Sequence, residues 1–338
     1  MKRQQKDWTV RGVIVLMSLI CATLSMPVFA QDAASNDEAK ETGLTDESFP
    51  KSVPLFGSDW RFSFGGYFKL DMLYDFDGTG DEYQLITATI PVDGAPDSQP
   101  GSYSKIHARE TRFNFEVRNT REGLPANKAF LEMDFFDENS NSPRLRHAYF
   151  QWGHFLAGQT WTNLTIMDGL PFLIDFAYGD SLYGGRVMQI RWEQPLAKGF
   201  SWMTGLEDWS SGAIANVAEL PGTDRPNLPL FALRGKYTWD RGVFSLGGSL
   251  AQLRWDGTDG VDDDTALQWA LVVGGRVYLD AGRRHFVTLG GSYGDGSAAN
   301  IISLAEGGVP NAVLQPDGTL ETMTAWNAAL ALQVSWSR

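Results

Sequence analysis

At 338 residues and a net charge of −13, the chain is unsuited to partners that select for positive charge, nucleic acid and anionic surfaces among them. Its single cysteine, Cys21, lies in a segment expected to be removed, which excludes disulfides, thiolate metal sites and cysteine nucleophiles from the mature protein. No segment after the first 30 residues has the ~18 consecutive apolar residues that a spanning helix needs, whereas 36 glycines and 12% aromatics fit a membrane β-barrel.

The first 30 residues read as a signal peptide. Lys2, Arg3, Lys6 and Arg11 precede an apolar run from Gly12 to Met26, and Val28-Phe29-Ala30 is a small-x-small cleavage site. The run is short and ends in Pro27, which favours cleavage over anchoring. This segment holds four bases and one acid (Asp7), a net of +3, so the remainder carries −16. Export without cysteine suits the envelope of a Gram-negative bacterium, with the outer membrane as destination. Residues 31–57 are acidic and lack periodicity, and read as a flexible periplasmic lead-in.

Residues 58–338 are predicted to form a transmembrane antiparallel β-barrel. In the first strand Phe62, Phe64, Phe68, Leu70, Met72 and Tyr74 share one face, and Lys69, Asp71 and Asp75 the other. Period two with bulky residues outward marks a strand with one face in lipid and one in water. The alternation recurs. Arg112, Asn114, Glu116 and Arg118 oppose Phe113, Phe115 and Val117; Glu132 and Asp134 oppose Leu131, Met133 and Phe135; Gln189, Arg191 and Glu193 oppose Met188, Ile190 and Trp192. Arg234, Lys236 and Arg276 continue the polar face, and Asn327 with Gln333 closes it. Beyond Arg146 neither face is clearly polar, and a β-bulge there would resolve the ambiguity.

Short connections (near Gly153, Pro195–Gly199, Asp240–Gly242, Asp280–Gly282) alternate with long polar ones, as periplasmic turns alternate with outer loops. Twelve strands are predicted, starting near 60, 105, 128, 144, 155, 186, 200, 229, 243, 266, 284 and 322. The end Trp336-Ser337-Arg338 lacks a terminal aromatic, so a sixteen-strand barrel missing its last four strands is expected in preference to a true twelve-strand barrel. One connection is unlike the rest. Thr162–Gly185 holds Leu164, Ile166, Met167, Leu170, Phe172, Leu173, Ile174, Phe176 and Tyr178, with Asp168, Asp175 and Asp180 among them. A long apolar loop between strands needs burial, and in a wide barrel the interior offers it. It reads as a constriction loop folded into a pore.

FGGYFKLDMLYDF (64–76), RETRFNFEVRN (109–119), RLRHAYFQWGHFLAGQTWT (144–162) and GLPF (169–172) resemble the DcaP-like family of trimeric outer-membrane porins. The resemblance implies a homotrimer, diffusion of small anionic solutes and an inward loop narrowing each pore. Family members can carry an N-terminal coiled coil; residues 31–57 show no sustained heptad.

A channel selects by the charges at its narrowest point, where low-dielectric walls focus the field. The alternation assigns nine bases to the lumen, Lys69, Arg112, Arg118, Arg144, Arg146, Arg191, Arg234, Lys236 and Arg276. It assigns five acids, Asp71, Glu116, Glu132, Asp134 and Glu193. The hypothesis is an arginine ladder facing Asp168, Asp175 and Asp180 across the pore, with Arg144, Arg146 and Arg191 gripping carboxylates or phosphates bidentately. Each arginine could instead solvate the lumen or pair with a neighbouring acid. The remaining acids fall in loops, where divalent cations could bridge them to lipopolysaccharide.

No metal or cofactor site is expected. His107, His147, His154 and His285 lack metal spacing, and the acidic run Asp256–Asp264 reads as a solvated loop tip more readily than a Ca²⁺ site. Trp60, Trp152, Trp192, Trp202, Trp209, Trp239, Trp255 and Trp336 read as an interfacial girdle. Two other classes compete: a barrel enzyme of lipase or protease type, which needs a convergent Ser-His-carboxylate set, and a structural barrel with a closed lumen.

Overall fold

Bulky residues on alternate positions build one wall. A computed structural model describes residues 49–336 apart from 57, 79, 95–100, 122, 124, 126, 138–141, 174–181 and 209–212. The predicted signal peptide, most of the lead-in, Asp175, Asp180 and Trp209 lie outside the described residues.

The wall has twelve long strands, each antiparallel to the next in chain order. They are β1 (Trp60–Tyr67), β2 (Arg112–Asn119), β3 (Asn127–Asp134), β4 (Arg144–Trp152), β5 (Phe155–Trp161) and β6 (Arg186–Pro195). They continue as β7 (Phe200–Asp208), β8 (Leu230–Trp239), β9 (Gly242–Gly257), β10 (Asp264–Tyr278), β11 (Phe286–Asp295) and β12 (Thr324–Gln333). All twelve predicted strands are present, but the first stops at Tyr67 instead of running on through Tyr74, and the second begins some residues later than expected, because Asp71–Asp75 and Tyr103–His107 pair with each other in a separate hairpin. Val53–Pro54 pairs with β1, and β12 pairs with β11. Among the described residues no helix is long and apolar enough to cross a membrane; crossing falls to the strands.

The alternation sorts as predicted. Leu246, Leu250, Leu271, Leu330 and Leu332 are exposed on the outer face, as are Phe64, Phe150 and Trp192. In water so much exposed apolar surface would drive association; against hydrocarbon it costs nothing. Much of the inner face of β8–β11 is small or polar: Ala232, Ser245, Ser249, Ala270, Thr288 and Ser292 are all buried. The expected bulge lies in β4. Glu132 pairs with His147 and Met133 with Leu145, so Arg146 is the extra residue and both Arg146 and His147 are buried. Beyond it Tyr149 and Gln151 face the lumen with Phe130 and Lys128.

The outer loops fold back over the wall. Ile214–Ala215, Ala312–Leu314 and Leu320–Thr322 form a small three-stranded sheet. Its Ile214, Ala312 and Leu314 pack on Leu253 and Trp255. Trp255 therefore leaves the predicted girdle: it is buried because the end of β9 is covered by this sheet.

Candidate functional site: the inward loop and the basic wall

The loop after β5 enters the barrel, as predicted, and lies along one side of it. At its root Glu207 of β7, fully buried, accepts a short hydrogen bond from Thr162 Oγ1 and one of 2.7 Å from the Asn163 backbone N–H. Leu164 reaches β9, where a Cβ on Gly247 would lie 2.9 Å from its Cδ2. Ile166 reaches β10, where a Cβ on Gly274 would lie 2.6 Å from its Cγ2. Gly169 sits tighter still, because a Cβ there would be 2.6 Å from the Leu289 carbonyl oxygen of β11. Near the end of the described run Phe172 makes an edge-on contact to Phe286, ring centroids 5.6 Å apart. Glycines and alanines on the wall are what admit the loop.

Three wall cations hold the loop from below. Arg234 Nη1 donates to the Thr165 carbonyl at 3.1 Å, Arg276 Nη2 to the Leu170 carbonyl at 2.8 Å, and Lys236 Nζ to Asp168 Oδ2 at 2.8 Å. On the return, Gly184 N–H donates to the Asn300 carbonyl and Asn300 Nδ2 to the Tyr183 hydroxyl, tying the loop to the outer segment 297–311. Burial pushes the Tyr183 phenol up to about 12, so it stays protonated. Leu164, Ile166, Tyr183, Ala298 and Ile301 form one apolar core with Leu230, Ala232, Ala270, Val272 and Ala325 of the wall.

Asp168 is thus matched to Lys236 on the wall under the loop, not held opposite the arginines of β2 and β4. Those have carboxylate partners of their own. Arg144 grips buried Asp134 with two hydrogen bonds, 3.0 Å from Nε to Oδ1 and 2.9 Å from Nη2 to Oδ2. Arg146 donates to Glu132 at 2.9 Å and to Asp134 at 2.7 Å. Arg112 stands 3.6 Å from Glu110, and Lys69 makes a short contact to the same carboxylate while lying 3.0 Å from Asp71. Arg118 pairs closely with Glu116. Arg191 differs: its nearest carboxylate among the described residues is Glu193, at 4.0 Å. Arg234 has none within that distance among them.

Glu207 and Glu110 were not singled out from the sequence. Glu207 follows Gly205-Leu206, so the inward-facing alternation through Met203 and Gly205 does mark it, but nothing local says that its partner is a loop root 44 residues away in the chain. His147 comes nearest to a hydrolytic arrangement. Its Nδ1 lies 3.0 Å from Thr160 Oγ1, yet Glu132 is 3.9 Å from Nε2, beyond hydrogen-bond reach, and is bonded to Arg146. Among the described residues no group of three or more His, Cys, Asp or Glu side chains could hold a metal ion. In the acidic run, Arg254 pairs with Asp256 at 2.9 Å and Asp263 at 2.6 Å.

A wall of antiparallel strands, apolar outside and charged inside, with a loop laid along its lumen, defines a porin-type β-barrel of the outer membrane. A family model for the DcaP outer membrane protein matches residues 35–284. The chain belongs to that family. Among solved structures it is similar to the outer membrane channel DcaP of Acinetobacter baumannii, at 18% identity and a TM-score of 0.65, covering 83% of this chain and 74% of that one. At this identity the fold is what the two share. Weaker likenesses run to an anion-selective porin from Comamonas acidovorans (13% identity, TM-score 0.44, 70% of this chain and 68% of that one). Another is a loop-deletion form of OmpT from Vibrio cholerae (11%, 0.38, 70% and 82%). No curated protein matches the chain.

Proposed function

We propose that the protein is a passive diffusion porin for small hydrophilic anions, carboxylates foremost, working as a homotrimer in a lipopolysaccharide-bearing outer membrane. The observation that carries this is the unequal neutralisation of lumen charge. Asp134 and Glu132 are consumed by Arg144 and Arg146, and Asp168 by Lys236. Arg191 has only Glu193, 4.0 Å away, and Arg234 has no carboxylate within that distance among the described residues. The residual field inside is positive in a chain whose total charge is strongly negative. In a narrow passage such a field raises the local concentration of anions and lowers that of cations. Lys69, Arg112, Arg118 and Glu116 line the same lumen, and Asp175 and Asp180 belong to the proposed constriction.

Reversal potential across a salt gradient, measured on single channels of the refolded full chain, tests the reading. Anion preference is the expected result, reduced in Arg191→Ala and little changed in Arg118→Ala, whose charge Glu116 cancels. Cation preference would overturn it.

A further inference from the structure

The short turns at one end of the wall carry bases that the lumen does not use. Lys198 lies between β6 and β7, Arg241 between β8 and β9, and Arg283 and Arg284 between β10 and β11. All four are exposed. The opposite rim is acidic, the run from Asp256 to Asp264 being mostly aspartate. Two of the four bases are answered locally. Arg284 Nε stands 3.6 Å from Asp280 Oδ2, and Arg283 Nη2 donates to the Asp240 carbonyl at 3.1 Å with its guanidinium over the Tyr278 ring. Lys198 and Arg241 make no ion pair among the described residues. Asp240, exposed beside Arg241 in the chain, is the acid that shares this turn.

These two bases cap an aromatic ladder on the outer face. Phe200 of β7 pairs with Tyr237 of β8, their rings stacked with centroids 4.3 Å apart and 27° between planes. Tyr237 stacks in turn on Trp239 at 5.6 Å and 18°. Leu196 and Phe200 are exposed beside them. The turn is pressed against β8 at this level. Thr238 N–H donates to the Gly199 carbonyl at 2.9 Å, and a Cβ on Gly199 would fall 2.1 Å from the Thr238 carbonyl oxygen. A register that sets Phe200 beside Tyr237 and Gly199 beside Thr238 brings Lys198 level with Trp239, next to the turn that carries Arg241. In a membrane barrel, rings at the strand ends lie at headgroup depth, with acyl chains on one side and phosphates on the other.

We infer that Lys198 and Arg241, with Phe200, Tyr237 and Trp239 beneath them, bind an anionic glycerophospholipid of the periplasmic leaflet. Its phosphodiester sits on the two bases and its acyl chains run along the rings. Lysine and arginine together outweigh Asp240, so a headgroup of net negative charge completes the site. A zwitterionic one suits it less, because its ammonium returns positive charge to the same place. The aspartates of the far rim repel such a headgroup, which fixes the site to the short-turn end, periplasmic in barrels of this kind. The inference rests on the outer-membrane barrel alone. Neither the sign of the ion selectivity nor the inward loop enters it.

The test is native mass spectrometry of the refolded full chain released from detergent micelles. The micelles are doped with phosphatidylglycerol or with phosphatidylcholine of the same acyl chains. Phosphatidylglycerol is expected to be retained in preference to phosphatidylcholine. Lys198→Gln and Arg241→Gln should each weaken its retention about fivefold, the effect of one base near an anionic lipid surface. Phe200→Ala should weaken retention of both lipids while leaving the preference between them. Arg284→Gln removes the same charge where Asp280 already answers it, and should change nothing. Equal retention of the two lipids by the wild type would overturn the site. So would an Arg284→Gln loss as large as that of Arg241→Gln, because net charge would then explain the binding. A ladder covered by a second copy of the chain would show as no retained lipid in the assembled protein, and that too would overturn it.

Discussion

Arginines that look alike in the sequence do different work once their partners are known. Arg146 is almost wholly buried and shares Asp134 with Arg144 while holding Glu132. Removing one partner of a buried ion pair leaves an uncompensated charge, so Arg146→Ala should destabilise the barrel by about 3 kcal/mol. Arg191→Ala should cost much less, because Glu193 at 4.0 Å is a weak partner. Thermal unfolding of the two variants side by side checks the contrast; equal losses would contradict it. Periodicity could place both side chains in the lumen, but it could not separate them. What separates them is the bulge at Arg146, which puts two successive side chains inside, and the sequence marked that spot only as a place where the alternation lost its clarity.

The loop shows the same limit at the level of an element. Its burial could be foreseen from Leu164, Ile166 and Leu170, since a free surface loop does not carry such residues. Its seat could not. The wall beneath it is written as small residues at alternate positions (Ala270, Gly274; Ser245, Gly247, Ser249), a pattern that polarity-based reading passes over. A side chain at Gly169 has nowhere to go, because the atom it would strike is backbone. Gly169→Val should lift the loop off the wall and raise single-channel conductance with the barrel still folded. The root answers to a different change: in Glu207→Ala the Asn163 N–H and the Thr162 hydroxyl lose their acceptor, costing about 1–3 kcal/mol. The expected sign is a noisier, frequently substating current, and a quiet wild-type trace would contradict it. Among the turns, Asp280 accepts the backbone N–H groups of His285 and Arg284, each at 2.8 Å, and these bonds hold its carboxyl below the ordinary aspartate value. Its contribution is therefore complete above pH ~4 and fades as acid protonates it. Asp280→Asn should unfold with a flatter pH dependence below that point.

For the whole molecule, what the sequence conveyed best was the architecture, because each strand repeats the same rule and twelve repetitions average out local exceptions. The outer loops obey no such rule, which is why the sheet formed by 214–215, 312–314 and 320–322 came only with the structure. At this scale the selectivity itself becomes a prediction about salt. The Debye length shrinks from ~10 Å at 0.1 M to ~3 Å at 1 M, so anion preference should be strongest in dilute salt and decline steadily with concentration. A preference independent of salt would point to contact binding alone.

The strands are also unequal in height. β9 and β10 run for 16 and 15 residues, whereas β3, β4 and β5 have 8, 9 and 7. At ~3.3 Å per residue the tall pair is roughly 25 Å longer than the short ones. The upper edge of the wall is therefore oblique, like the end of a quill. Its low lip lies over the strands that carry Arg144, Arg146 and Glu132, and its high lip over the strands that carry the loop. On the proposed porin reading, solutes arriving from outside would cross that charged bank before they reach Arg191.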